Sequence, residues 1–68
     1  MKLAIETEKE EDGRWLAEIP EIPGAMAYGQ TREEAVIRVE AIALRTIADR
    51  LEHGEAVPEV VGAFLVVA

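Results

Sequence analysis

The stretch Pro20-Glu-Ile-Pro-Gly-Ala-Met-Ala-Tyr-Gly-Gln-Thr-Arg-Glu-Glu-Ala35 decides how this chain folds. Each proline fixes its own φ and pushes the residue before it towards extended geometry, so Pro20 to Gly24 reads as a rigid corner around Pro23. Gly24 supplies a backbone conformation closed to other residues. Ala25 to Gly29 then reads as an edge-type strand, with Met26 and Tyr28 on one side and Ala25 and Ala27 on the other. Thr31 followed by Glu34 is a capping box: the hydroxyl accepts from a first-turn amide, and the glutamate reaches back to the Thr31 amide.

Upstream, Leu3, Ile5 and Thr7 alternate with Lys2, Glu6 and Glu8, the period of a half-buried strand from Lys2 to Glu8. Asp12-Gly13 suits the positive φ of a hairpin turn, which returns the chain as a second strand from Arg14 to Ile19. The expected register sets Glu8 opposite Arg14, Thr7 opposite Trp15, Ile5 opposite Ala17 and Leu3 opposite Ile19. One face is then apolar, with Trp15 in the core. The other carries Glu6, Glu8, Arg14 and Glu18 around a single large hydrophobe, Leu16.

Downstream, the spacing predicts a helix from Arg32 to about Glu52, stopped by Gly54 and by Pro58 beyond it. Ala35, Val39, Ile42 and Thr46, with Val36, Ala43 and Ile47 alongside, are expected to cover the apolar hairpin face. A second apolar stripe, Ile37, Ala41, Leu44, Ala48 and Leu51, lies well round the helix, wider than one small sheet covers, and is expected to meet another subunit. The final run, Val60 to Ala68, has no polar side chain and reads as a strand buried on both faces. Candidate self-association residues are therefore Ile37, Leu44 and Leu51 on the helix and Phe64, Leu65, Val66 and Val67 in the last strand. The fold class is α+β, in the order β-β-β-α-β: a three-stranded antiparallel meander plus a fourth strand, with one helix packed on one sheet face. Residues 1–68 form a single domain, and a last strand parallel to the first gives the order 3-2-1-4.

Composition narrows the function. A chain of 68 residues buries a small core, and with no cysteine and one histidine it has neither a disulfide nor a Cys/His zinc site to reinforce it. Oligomerisation remains. The net charge of −7 speaks against unaided nucleic-acid binding; it suits a basic protein partner, and equally it suits keeping a small protein in solution. Without serine, cysteine or a second histidine, no hydrolytic triad assembles. His53 is placed as a helix C-cap. Glu6, Glu8 and Glu40 do not make a complete metal site, because Val60 to Ala68 adds no carboxylate to them. No enzyme activity, metal or cofactor is expected. No run approaches a membrane span and Met1 to Glu6 lacks a signal-peptide core, so the expected location is the cytoplasm.

Four short motifs carry a resemblance: Asp12-Gly13, Pro20-Glu-Ile-Pro-Gly24, Gly29-Gln-Thr31-Arg-Glu-Glu34-Ala35 and Gly54-Glu-Ala-Val-Pro58. In this order and spacing, over almost the whole chain, the sequence resembles the HicB-like antitoxin family. Gln30 stands where that family has an acidic residue, and Ala25 where it often has cysteine. The resemblance implies a truncated ribonuclease-H-like fold without nuclease activity, commonly oligomeric. It also implies a partner: a small basic HicA-type toxin that cleaves mRNA and is neutralised on binding. With the sequence ending at Ala68, a short form is expected, without the DNA-binding segment usual in longer members. Glu6, Glu8 and Glu18, with Glu10, Glu11 and Asp12 nearby, are the candidate partner-binding residues, while Gly13, Pro23, Gly24, Thr31, Glu34 and Gly54 have structural roles. The alternative is an orphan domain that only self-assembles.

Placing a charge at Phe64 or Leu65, as in Phe64→Asp or Leu65→Asp, should lower the solution mass measured by sedimentation or unfold the protein. Unchanged mass and melting temperature would remove the last strand from the interface.

Overall fold

Gly13 stands at φ 90° and its amide donates to the Glu10 carbonyl at 3.0 Å, while the Glu10 amide donates to the Arg14 carbonyl at 2.7 Å. These bonds define a short loop, Glu11 to Gly13, of the kind that ends in a left-handed glycine. In the computed structural model, which describes residues 2–55 and Val67, the loop joins β1 (Glu6–Lys9) to β2 (Trp15–Glu18). The pairs are Glu6 with Glu18, Thr7 with Ala17, Glu8 with Leu16 and Lys9 with Trp15.

That register differs by two residues from the expected one, because the loop begins after Glu10 rather than after Glu8. Side chains alternate with period two, so an even shift leaves each on its expected face. The strand expected from Lys2 is also shorter. Continuing the ladder would set Ala4 opposite Pro20, which has no N–H to give and already turns away. Leu3 and Ile5 nonetheless pack, half-buried, against the core.

The corner is two turns in succession. The Ile22 amide donates to the Ile19 carbonyl and the Ala25 amide to the Ile22 carbonyl, both at 3.0 Å. A proline occupies the second position of each turn, and Gly24, at φ 86°, holds the third position of the second turn. Ile22 is thereby aimed inward and buried. β3 (Met26–Gly29) leaves the corner antiparallel to β2, giving a sheet in the order β1-β2-β3.

Helix α1 (Arg32–Glu52) starts where the capping pair predicts. Thr31 Oγ1 accepts from the Glu34 amide at 3.1 Å. Glu34, however, takes the Gln30 amide at 3.0 Å rather than that of Thr31, and its same oxygen also pairs with Arg38 at 3.1 Å. Arg38 Nη1 in turn donates to the Tyr28 carbonyl at 2.9 Å and ties the helix to β3. The helix ends as a glycine-terminated helix should: the Gly54 amide donates to Leu51 at 3.2 Å and the Glu55 amide to Arg50 at 2.9 Å.

α1 lies chiefly over β3 and β2 and touches β1 least. Between helix and sheet are Ala17, Ile19, Ile22, Ala25, Ala35, Val39, Ala43 and Ile47, with Trp15 half-buried at their margin. The described residues are thus α+β, three antiparallel strands and one helix. The expected fourth strand, Val60 to Ala68, lies outside them except for Val67, which is exposed.

Gly29 is the closest point of this packing. A Cβ built there would stand 2.5 Å from the Ala35 amide nitrogen, a backbone atom with no freedom to yield. Gly29→Ala should destabilise the fold by about 1–3 kcal/mol, and Thr31→Ala by about 1 kcal/mol through the lost cap. Denaturant unfolding of both variants tests this, and Gly29→Ala should be the more damaging.

Candidate functional site

The sheet face turned away from α1 carries Glu6, Glu8, Leu16, Glu18, Met26 and Tyr28. The two ladders arrange them in rows, one running Glu6–Glu18–Met26 and the next Glu8–Leu16–Tyr28. Leu16 is half-buried, whereas Met26 and Tyr28 are 48% and 39% exposed. An apolar strip from Leu16 to Met26 and Tyr28 therefore borders a block of carboxylates.

Glu6 and Glu18 stand directly opposite one another across the β1–β2 ladder. Like charges in that position cost roughly 0.2–1 kcal/mol. With Thr7, Glu8 and Leu16 they line a shallow hollow of about 120 Å³. A cation from another molecule seated there would relieve the repulsion.

At the hairpin end of this face the one cation is Arg14. Its guanidinium carbon lies 4.3 Å from the centre of the Tyr28 ring, a cation–π contact, and Nε donates to Asp12 Oδ2 at 2.7 Å. The Tyr28 hydroxyl donates to Glu10 Oε1 at 3.5 Å. The Arg14 amide also donates to Asp12 Oδ1 at 3.0 Å. These bonds, the backbone one foremost, hold the Asp12 carboxyl below the 3.8 of an unperturbed aspartate.

The fold thus brings Glu6, Glu8 and Glu18 together, and sets Glu10 and Asp12 at the neighbouring turn. Glu40 is not with them. It lies on α1, on the far side of the sheet from Glu6 and Glu8, so these three carboxylates do not converge. Among the described residues no group of three or more His, Cys, Asp or Glu side chains could hold a metal ion. His53 Nδ1 sits 2.7 Å from the Asp49 carbonyl at the helix end. Gly13, Pro23, Gly24, Thr31, Glu34 and Gly54 occupy the turns and caps described above. Ile37, Leu44 and Leu51 line the exposed side of α1, whereas Phe64, Leu65 and Val66 lie outside the described residues. No described helix is long and apolar enough to cross a membrane.

Two features are not legible from the sequence alone. The strip joining Leu16 to Met26 and Tyr28 depends on which strands are neighbours; its signal is a large hydrophobe on an otherwise polar strand face. The second is an open apolar groove of about 210 Å³ beside β1, lined by Leu3, Ile5, Ile19, Ala43, Leu44 and Ile47, with Glu40 at its rim. It exists because α1 sits off-centre over β2 and β3.

The chain is 31% identical over 58 residues to a UPF0150 protein of Thermoplasma acidophilum, a match covering 85% of this chain and 84% of that one. No family model matches the chain. No solved structure gives a significant match.

The Asp12 shift has a sign that can be checked. Its folded pKa is below the unfolded value, so the stabilisation it gives the turn is complete above about 3.8 and is lost as pH falls through the folded pKa. NMR titration should find Asp12 below 3.8 in the wild type. In Arg14→Ala it should move only partway back, since the residue-14 amide still donates. A wild-type value at or above that of free aspartate would contradict the turn geometry.

Proposed function

The chain belongs to the UPF0150 family, and from that membership we propose that it is a HicB-like antitoxin domain, a non-catalytic binder that neutralises a small basic HicA-type mRNA-cleaving toxin. The four sequence motifs support the first half of this reading. The observation that carries the second is the outer sheet face, where Glu6, Glu8 and Glu18 border the strip of Leu16, Met26 and Tyr28.

Such a face matches the needs of a protein interface. An apolar centre gains from burial, and a rim of one sign of charge steers an oppositely charged partner and fixes its orientation. A cationic nuclease surface placed on it would find carboxylates already crowded together. The same charge disfavours RNA, so in this proposal the toxin's own substrate does not compete for the site. The finer fold belongs to the proposal too: a fourth strand beside β1, completing a truncated ribonuclease-H-like layer, is supported by the apolar groove and by an edge of β1 that has no strand partner among the described residues.

The experiment is co-expression with a small basic HicA-type toxin from the same cells, reading growth and mRNA integrity. The wild type should rescue growth. Glu8→Lys and Glu18→Lys, both surface changes, should slow association by about tenfold or more, most strongly at low salt. Recovery of this chain alone from its native cells, with the basic protein expressed, would instead establish the orphan self-assembling domain.

A further inference from the structure

α1 has two apolar faces. Ala35, Val39, Ala43 and Ile47 meet the sheet, while Ile37, Ala41, Leu44, Ala48 and Leu51 follow one another at steps of four, three, four and three residues. Ile37, Leu44 and Leu51 are 66%, 62% and 47% exposed. Alternating steps of four and three are the mark of a helix–helix seam, and on a lone surface helix they would serve nothing.

The charges beside the seam say what covers it. Glu40 flanks it on the side nearer the sheet, and Arg45 flanks it on the other. Five residues apart, they cannot join on their own helix, where partners stand three or four apart. Among the described residues neither forms an ion pair. In two parallel, in-register helices a residue on the first flank meets the residue five positions later on the partner's opposite flank. Glu40 of each copy then meets Arg45 of the other, on both sides of the seam. An antiparallel pair centred on Leu44 would instead set Arg45 against Arg45. Glu33 and Arg38 repeat the spacing one heptad earlier, although Arg38 is already anchored to Glu34 and the Tyr28 carbonyl.

We infer that the occupant of this face is a second copy of the chain: α1 pairs with α1 in parallel and in register through Ile37, Leu44 and Leu51, with Glu40–Arg45 pairs closing both flanks. This does not rest on the antitoxin reading, since the seam and the acidic sheet face lie on opposite sides of the molecule.

Sedimentation equilibrium on the whole chain tests it. The wild type should be dimeric, and Ile37→Glu should be a monomer that keeps its helical circular dichroism. Glu40→Arg and Arg45→Glu should each weaken dimerisation about tenfold, by turning two attractions into two repulsions. Mixing those two variants, or combining both changes in one chain, should restore it. A monomeric wild type overturns the inference, the stripe then being covered from within the chain or left bare. So does a dimer indifferent to both charge reversals, which places the contact elsewhere or in the antiparallel sense.

Discussion

The approach of the α1 backbone to β3 at Gly29 governs this layer. With the Ala35 amide where a side chain on Gly29 would otherwise be, helix and sheet stand close at that point, and alanines fill half of the buried layer. Ala17 and Ala35 are wholly buried, Ala25 and Ala43 nearly so, and Val39 is the largest described side chain sealed from solvent. The four alanines of this core contribute less than its isoleucines, because the gain on burial scales with the apolar area removed from water. Several large hydrophobic side chains lie outside the core. Leu16, Met26 and Tyr28 go to the back of the sheet, and Ile37, Leu44 and Leu51 to the far side of the helix.

What could be read from the sequence was local, and what could not was distance across the fold. Thr31 with Glu34, Gly13 after Asp12, and Gly54 after a long apolar periodicity each name their own turn or cap, since the chemistry acts within a few residues. Sheet faces were legible for the same reason: alternation survives any even change of register. The register itself was not, because a loop from Lys9 or from Glu11 satisfies Asp12-Gly13 equally well. Ile22 gives no sign of being a core residue because no periodicity surrounds an isolated hydrophobe between two prolines. Gly29 reads as the last residue of a strand until the helix is laid over it. The candidate binding face was half visible, its glutamates plain from spacing, its apolar strip hidden until β3 was placed beside β2.

Electrostatics follows the same division. Where acidic residues have a cation within the fold they serve the backbone, as Asp12 serves the hairpin tip and Glu34 the helix start. Glu6 and Glu18 have no such role and face each other across a ladder. Repulsion that a small, thinly packed domain could easily have avoided is retained on the face that also keeps its hydrophobes wet. On that coincidence the proposed binding role of the sheet back rests, since on an ordinary solvated surface charge is present to prevent contact rather than to direct it.

The Arg38 contact with the Tyr28 carbonyl has a consequence for how the sheet can grow. The Ile19 amide bonds to Ala25, so by alternation the polar groups of Tyr28 point away from β2, to the open edge of the sheet. Arg38 occupies that carbonyl, and a strand arriving from outside would have to displace a charged side chain to pair there. At the opposite edge the outward groups of Thr7 have no backbone partner among the described residues, and the neighbouring groove is apolar. Among the described residues the layer is therefore polar in the crystal-growth sense: one edge is capped at Tyr28, and the other is not. Strand addition at β3 has to displace Arg38, whereas the described residues set no such obstacle at β1.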